Sequence, residues 1–416
     1  MSLRKPAVLL VTSKWWPSSA RMALALLQHG CRVDVLSPPG HPVLRVPGLG
    51  RCWRYSPLDS LGSLRSVLGQ GRDHELIVPC DDGVVAQLLT LCAQVPALRG
   101  LIEKSIAPLA SHELLLSRHR LLNLARELGL RVPETRALRG PLDVQAWFDE
   151  GHEHAVLKRD LSCGGSGVRM LHSQGEGPAA WRSLSRQGQT GPLLRQWLVE
   201  RDPLAWWSRR QPGAQAISLQ QYIEGQPANT MMLCWRGELQ ALVSVAVVET
   251  RGATGHATVV RRVHHEAMAE AARRLCQRLR LSGFHGLDFI LQAGTGEPWL
   301  IEFNPRCTQL GHMAWPGQPS LAAVLAAQLR GVAVPSPRQV LPEDLVSLFP
   351  QRPLGAALGH HDVPSDQPAL VQALSDVSWP QRQWTYRCYN ALRPARPSEL
   401  VMHEALSPAA PAPLSP

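Results

Sequence analysis

Two acids and one amide in the second half of the chain have types and spacing that could hold a metal ion. Asp288 lies in the apolar segment LDFIL, and Glu302 and Asn304 lie in the segment WLIEFN, with the turn AGTGEP between the two. Apolar segments on either side of a glycine-containing turn predict a β-hairpin. If Asp288 faces Glu302 in an antiparallel pair, the centre of the hairpin falls at Thr295, inside that turn.

This hairpin would place the three polar side chains on one face. Side chains alternate along a strand, so Glu302 and Asn304 share a face, and Asp288 joins them with its Cβ about 5 Å from that of Glu302. Opposed like charges require a cation or a proton, and oxygen ligands alone favour Mg²⁺. The alternative is a hairpin with solvated acids. The other face would be an apolar core face, made of Leu287, Phe289, Leu291, Ile301 and Phe303.

The first 110 residues or so predict an open parallel sheet. An apolar strand at residues 7–11, a helix at 21–29 and a strand at 31–36 form a β-α-β unit, which residues 76–78 and 84–93 repeat in part. The first turn, TSKWWPSS, lacks the G-x-G-x-x-G pattern of dinucleotide sites.

A second unit of mixed helices and strands follows, so the whole chain is of the α/β class. We expect one helix over 114–128, strands ending at Lys158 and spanning 168–171, and a further helix over 266–279 capped by Gly283. A glycine-rich turn at 163–167 separates the first two strands. The segment ISLQQYIEG and residues 230–235 and 240–248 predict further strands.

Composition narrows the function classes. The chain has 416 residues, 44% of them hydrophobic, which is enough for two or three domains. No apolar stretch reaches the roughly 20 residues of a membrane span. Nine cysteines without a CxxC pair favour a reducing cytoplasm over a disulfide or zinc framework. The net charge of +10 is spread along the chain, which favours anionic small molecules over nucleic acid as partners.

The segments HGLDFIL and IEFNPR resemble the closing motif of the ATP-grasp superfamily, an acid on one strand followed by E-x-N-P-R on the next. The resemblance covers roughly residues 110–331. It implies an N-terminal Rossmann-like domain over 1–110 and an ATP-grasp domain over 111–331, with a flap subdomain at about 133–220 and a metal-binding subdomain at about 221–331. Residues 332–404 would be an extension of unknown role, and residues 405–416 a disordered Pro/Ala tail.

The resemblance also assigns roles to residues around the hairpin. Asp288, Glu302 and Asn304 would hold Mg²⁺, with Mn²⁺ as an alternative ion. Arg306 would lie over the transferred phosphoryl group, where a guanidinium suits charge spread over several oxygens. Arg118 stands where many relatives have lysine, and its fork could clasp a phosphate.

The remaining nucleotide contacts are implied in the same way. Lys158 resembles the lysine that contacts phosphate and adenine. The loop after it resembles the flap over the triphosphate and contains Gly164, Gly165, Ser166 and Gly167. The segment LQQYIEG resembles the hinge that reads the adenine edge, and its candidates are Gln220, Gln221, Tyr222 and Ile223. Acids are common in relatives where this chain has Gln220 or Gln221, and beyond the hinge glycine where it has Gln226 and Pro227.

The function implied is an ADP-forming ligase that activates a carboxylate as an acylphosphate for attack by an amine. Its partners would be small-molecule carboxylate and amine substrates, without nucleic acid or membrane. The alternatives are a kinase acting on a hydroxyl and a non-catalytic ATP-binding protein. The oligomeric state is left open, with a homodimer as one option.

Other candidate residues carry weaker signals. Two histidine groups could ligate zinc, and they are His152 with His154, and His360 and His361 with Asp362. No cysteine or third histidine lies at suitable spacing, so surface histidines are favoured. A nucleophilic Cys163 or Cys307 would need a partner base that the sequence does not identify. Three tryptophans would cover a pocket or be buried in the core; they are Trp197, Trp206 and Trp207.

Overall fold

The N-terminal part of the chain is built on a four-stranded parallel sheet with strand order β3-β2-β1-β4. The strands are β1 (Ala7–Val11), β2 (Arg32–Ser37), β3 (Cys52–Arg54) and β4 (Leu76–Pro79). Leu9 and Val11 lie in one apolar cluster while Val8 and Leu10 lie in the other, so β1 is covered on both faces. This confirms the open parallel sheet predicted from the sequence.

The helices of this part are α1 (Ser18–Gln28), α2 (Ser60–Leu68), α3 (Asp82–Gln94) and α4 (Pro96–Ser105), with 3-10 turns at Pro42–Arg45 and Leu109–Ser111.

In this computed structural model the described residues are 5–70, 73–160, 167–186, 216–252, 255–337, 340–376, 384, 387–388, 391 and 399–403.

A small antiparallel sheet with strand order β5-β8-β6-β7 follows. Its strands are β5 (Thr135–Leu138), β6 (Ala155–Arg159), β7 (Val168–Leu171) and β8 (Ile217–Gln221). The nearby helices are α5 (His112–Leu115), α6 (Arg118–Glu127), α7 (Pro141–Asp149) and α8 (Gly177–Arg186), with a 3-10 turn at Gln174–Glu176. Val144, Trp147, Leu157 and Leu219 are part of its own apolar cluster.

The prediction of one continuous helix over 114–128 is wrong. The first helix, α5, ends at Leu115, and extended backbone at Ser117, with φ −122° and ψ 107°, begins α6. The break places Arg118 in the first turn of a new helix, from which its side chain reaches the hairpin described below.

An eight-stranded sheet forms the rest of the fold, in the order β13-β12-β9-β10-β11-β14-β15, with β16 paired to β10. Its strands are β9 (Gly225–Trp235), β10 (Glu238–Arg251), β11 (Ala257–Arg262), β12 (Gly283–Gln292), β13 (Pro298–Asn304), β14 (Leu345–Ser347), β15 (His360–His361) and β16 (Leu400–Met402). Its helices are α9 (Glu266–Leu279), α10 (Leu321–Arg330) and α11 (Pro368–Ser375). The C-terminal region therefore contributes three strands to the large sheet.

The ends of helix α9 agree with the sequence prediction, but its cap does not. Arg280, with a left-handed φ of 51°, ends the helix, and Gly283 instead begins β12. A Cβ on Gly283 would lie 2.3 Å from the carbonyl oxygen of Ser105, so this position needs glycine for close backbone approach as well as for its φ of 77°.

Among the described residues, no helix combines the length and the apolar character that crossing a bilayer requires.

Candidate active site

The hairpin of β12 and β13 has the register predicted from the sequence at the polar residues. Asp288 pairs with Glu302 and Gly286 with Asn304, and the hairpin turns between Gln292 and Pro298. The neighbouring strand β9 brings Asn229 opposite Asp288 from the other side. Asp288, Glu302, Asn304 and Asn229 all line one cavity.

A β-bulge between Asp288 and Phe289 changes the alternation along β13, which corrects one expectation. Leu300, not Ile301, is buried in the core on the far side, and Ile301 lines the cavity. The bulge has a consequence for the site, because the carbonyl oxygen of Ile301 accepts hydrogen bonds from Lys158 Nζ and Gln220 Nε2, both at 3.3 Å.

Asp288 is held by two amides. Asn229 Nδ2 donates to its Oδ1 at 2.6 Å, and Asn304 Nδ2 donates to its Oδ2 at 3.0 Å. Burial, and then the facing Glu302 carboxylate, raises the pKa of Asp288 from 3.8 to about 6. The opposed acids thus retain unfavourable negative charge, which a cation would relieve.

Glu302 is held by a guanidinium. Arg118 Nη2 donates to Glu302 Oε1 at 2.6 Å, and Arg118 Nη1 donates to the carbonyl oxygen of Arg159 at 3.0 Å. Although burial acts in the opposite direction, Arg118 and Lys158 hold the pKa of Glu302 below its ordinary value. Arg118 also lies 3.8 Å from Asp160, whose pKa burial raises to about 6.

Lys158 lies at the end of β6 and is 5% exposed. Burial lowers its pKa from 10.5 to about 8, although the Glu302 carboxylate acts in the opposite direction. Burial of the protonated ammonium group beside the acids therefore lowers the stability of the fold, and such an arrangement is typical of functional sites.

Arg306 connects the hairpin to the N-terminal sheet. Its Nη2 donates to Asn304 Oδ1 at 2.9 Å, its Nε donates to Asp82 Oδ2 at 3.0 Å, and its Cζ lies 4.6 Å from the ring centre of Trp16. Sequence reasoning missed Asn229, Asp82 and Trp16. Asp82 could have been found, since PCDDG follows a parallel strand and ligands bind at the carboxyl ends of such strands.

The cavity that these residues line has a volume of about 1630 Å³ and lies between the three sheets. The four predicted hinge residues all line it, and they are Gln220, Gln221, Tyr222 and Ile223. Gln220 Nε2 also donates to Thr135 Oγ1 at 3.3 Å, so this glutamine is fixed to the small sheet as well as to β13.

The glycine-rich loop is described only at its end. The carbonyl oxygen of Gly167 accepts a hydrogen bond from the N–H of Arg159 at 3.0 Å. The other predicted loop residues, Gly164, Gly165 and Ser166, lie outside the described residues, and so does Cys163. The same holds for the three tryptophans, Trp197, Trp206 and Trp207.

The zinc and nucleophile alternatives gain no support where the chain is described. In those ranges no group of three or more His, Cys, Asp or Glu is placed to hold a metal ion. His152 stacks on Trp147 at 3.8 Å. Asp362 is buried and bonded to Arg21 and His312. Cys307 is buried, and its Sγ donates to the carbonyl oxygen of Thr308.

The donor set fits a hard divalent cation. Asp288 and Glu302 supply carboxylate oxygens from facing positions, and Asn304 lies on the same strand two residues after Glu302. Magnesium in proteins combines one or two carboxylates with water and substrate phosphates, which suits a site open to a large cavity.

Residues 206–309 match the family model of an ATP-grasp domain. The match covers part of the range, 111–331, over which the sequence predicted an ATP-grasp domain. The match includes β8 to β13 and therefore the whole acid pair. No curated protein sequence matches the chain significantly. The match confirms the resemblance to the ATP-grasp superfamily within residues 206–309.

Solved structures with the same fold cover most of the chain. N5-carboxyaminoimidazole synthetase from Staphylococcus aureus has a TM-score of 0.54 at 13% identity, over 80% of each chain. N5-carboxyaminoimidazole synthase from Aspergillus clavatus, in complex with ADP and 5-aminoimidazole ribonucleotide, has 0.55 at 13%, over 80% of this chain and 78% of the other. L-amino acid ligase from Bacillus licheniformis has 0.53 at 13%, over 79% and 75%. The predicted fold class is confirmed.

Proposed function

We propose that this protein is a magnesium-dependent, ADP-forming ligase, which uses ATP to activate a carboxylate for attack by an amine. The observation that carries the proposal is the facing pair of Asp288 and Glu302 in a large cavity, with Lys158 and Arg306 beside it. Two facing acids with cationic side chains beside them in one cavity suit a divalent cation together with an anionic ligand. Similar solved structures that are named as a synthase and an amino acid ligase support the same class.

The nucleotide end of the cavity lies between the small and large sheets. Val156 and Met170 line it from the small sheet, and Ile290 lines it from the large sheet. A flat adenine ring would lie between these apolar side chains, while the backbone at Tyr222 and Ile223 would bond its edge. The apolar walls and the polar hinge together favour a purine.

The phosphate end is defined by three cations. Lys158 would bind phosphate oxygens, with its Nζ oriented by the carbonyl oxygen of Ile301. Arg118 and Arg306 are each held by an acid or amide on the hairpin, which fixes the direction of the guanidinium groups. Mg²⁺ bound by the acid pair and Asn304 would supply charge neutralisation on the phosphate oxygens.

The reaction needs positioning and charge stabilisation from the chain rather than a nucleophilic side chain. An oxygen of the substrate carboxylate attacks the γ-phosphorus, the bond from that phosphorus to the β-γ bridging oxygen breaks, and ADP leaves. The amine nitrogen then attacks the acyl carbon, its carbon–oxygen bond to phosphate breaks, and orthophosphate leaves as the amine loses a proton. Lys158 and Arg306 stabilise the negative charge on the transferred phosphoryl group.

The decisive experiment measures ADP release by the full chain with MgATP and a panel of acid and amine pairs. Glu302→Gln should reduce turnover by at least about 100-fold, since it removes one metal-binding charge. Glu297→Gln is the matched control, because Glu297 lies at the turn of the same hairpin and its side chain is 48% exposed. Circular dichroism melting would verify that both variants fold.

Three outcomes would contradict the proposal. Equal turnover in Glu302→Gln and the wild type would show that the pair is not the metal site. ADP release that needs no amine and leaves a stable phosphorylated alcohol would show a kinase. Tight MgATP binding without turnover on any acid and amine pair would indicate a non-catalytic ATP-binding protein.

A further inference from the structure

The cavity is also lined by residues other than the acid pair and the predicted nucleotide contacts. We call the part that they line the outer half. Its walls come from the loops at 15–18 and 40–45 of the N-terminal domain, from residues 308–310, and from the C-terminal region at 349–354, 373–376 and 401–403. The C-terminal region, to which the sequence assigned no role, thus forms part of the candidate site.

Aromatic and aliphatic side chains dominate two walls of the outer half. Trp15 stacks on His41 at 5.3 Å between ring centres, and Trp16 lies against Arg306. Burial lowers the pKa of His41 to about 3, and the N–H of Val43 donates to its Nδ1 at 2.9 Å, so the ring against Trp15 is neutral and fixed in orientation. Rigid stacked rings of this kind form an ordered surface for a flat or apolar group.

The C-terminal wall presents apolar surface directly to the cavity. Leu354 lines the cavity and is 54% exposed, while Phe349 and Leu374 line the same wall and are buried. Large aliphatic groups that face water inside a concave site are stabilised when a ligand covers them. An apolar ligand group is therefore expected opposite Leu354.

The charge of the outer half is mainly positive. Arg45 and Arg251 line the cavity on this side, against one carboxylate, Asp376, and Arg306 lines it while paired with Asp82. Arg251 Nη2 donates to the carbonyl oxygen of Gln351 at 3.0 Å, which ties this charge to the C-terminal wall. Clefts that carry one sign of charge attract ligands of the opposite sign.

We propose that the outer half binds the acid to be activated, and that this acid is a small carboxylate with a bulky apolar or aromatic body. Its carboxylate faces Arg306 and the acid pair, and its apolar body lies between Trp15, Trp16 and Leu354. The C-terminal region is thus a specificity element. The orientation of the carboxylate in this inference rests on the proposed function. The preference for an apolar acid is argued from the residues that line the cavity.

Calorimetric binding to the full chain, with and without saturating MgADP, tests the inference. The probes are N-acetylphenylalanine, which has both features, N-acetylglycine, which lacks the apolar body, and phenylethylamine, which lacks the carboxylate. N-acetylphenylalanine should bind at least about tenfold more tightly than the other two. Leu354→Ala should weaken its binding by about tenfold and leave the binding of N-acetylglycine and of MgADP unchanged.

Two matched variants control for general effects. Leu142→Ala makes the same change at a leucine that is 75% exposed on α7 and does not line the cavity, and it should leave every affinity unchanged.

Arg45→Gln should weaken the binding of both acetylated acids by the same factor, because it changes charge and not apolar contact. Arg54→Gln, outside the cavity lining, should have no effect.

The outcomes separate this inference from the proposed function. Equal binding of the three probes, or no binding of any, would overturn the inference, even if another acid and amine pair releases ADP. Binding in the expected order without ADP release on any pair would keep the inference and contradict the proposed ligase.

Discussion

Lys158→Met should make the protein more stable while it abolishes turnover. Lys158 is 5% exposed, and burial lowers the pKa of its ammonium from 10.5 to about 8. The lysine is fully protonated in the unfolded chain at pH 7, and folding buries that charge. Methionine has a similar length and no charge, so it can occupy the same space without the desolvation cost.

The magnitude follows from the pKa difference. At 1.36 kcal/mol per pKa unit, lowering the pKa from 10.5 to about 8 corresponds to a cost of about 3 kcal/mol at pH 7. Loss of the hydrogen bond from Nζ to the carbonyl oxygen of Ile301 would offset about 1 kcal/mol. We therefore expect Lys158→Met to raise the free energy of unfolding by about 2 kcal/mol at pH 7.

The sign gives a second test. Between pH 8 and about 10.5 the unfolded chain binds the proton that the folded protein has lost, so the stability of the wild type rises with pH. The advantage of the variant should shrink across this range and approach zero near pH 9.5, within about 0.5 kcal/mol. Urea unfolding at pH 7 and pH 9.5, followed by circular dichroism, measures both values.

Lys104→Met is the control for this prediction. Lys104 lies 5.4 Å from the ring centre of Trp235, and the change should leave stability unchanged or reduce it by less than about 1 kcal/mol. Lower stability of Lys158→Met at pH 7 would refute the reasoning. So would an advantage of the same size at both pH values, since that would point to packing and not to charge.

Three further predictions concern the surroundings of the site. Burial acts to raise the pKa of Asp362, but Arg21 and His312 lower it from 3.8 to about 2. The ionised acid therefore stabilises the fold above about pH 4, and this stabilisation is lost as the pH falls through about 2. Asp362→Asn should cost about 2 kcal/mol in urea unfolding at pH 7 and flatten the acid limb. Gly286→Ala should reduce ADP release by about tenfold with melting nearly unchanged, because its Cβ would lie 2.6 Å from Thr308 Cγ2 and displace the site. Gln220→Leu should cost about 1 kcal/mol in urea unfolding, because Thr135 Oγ1 loses its donor and the carbonyl oxygen of Ile301 keeps only the bond from Lys158.

The acid pair could be predicted from sequence because its geometry is local. Asp288 and Glu302 are joined by one turn, and antiparallel pairing with alternating side chains leaves few registers that keep apolar residues on one face. The regular alternation breaks at Ile301, since a bulge inserts one residue and turns the next side chain to the other face. Nothing in the alternation of WLIEFN distinguishes a regular strand from a bulged one.

The residues that hold the acids could not be found in this way. Arg118 contacts Glu302 across 184 positions of sequence, and Arg306 contacts Asp82 across 224. Such pairs form because three separate sheets pack around one cavity, and packing is decided by shape and buried area over the whole molecule.

By itself, the sequence determined the strands of the hairpin, the register of its acids, the open parallel sheet and the fold class. Each depends on patterns within one element or between neighbours joined by a short turn, where backbone hydrogen bonds and side-chain alternation act directly. Only the tertiary structure decided that Asn229 and Trp16 belong to the site, that Lys158 is buried, and that the C-terminal region lines the cavity. These depend on contacts between distant segments, whose free energy comes from burial and charge in the assembled fold.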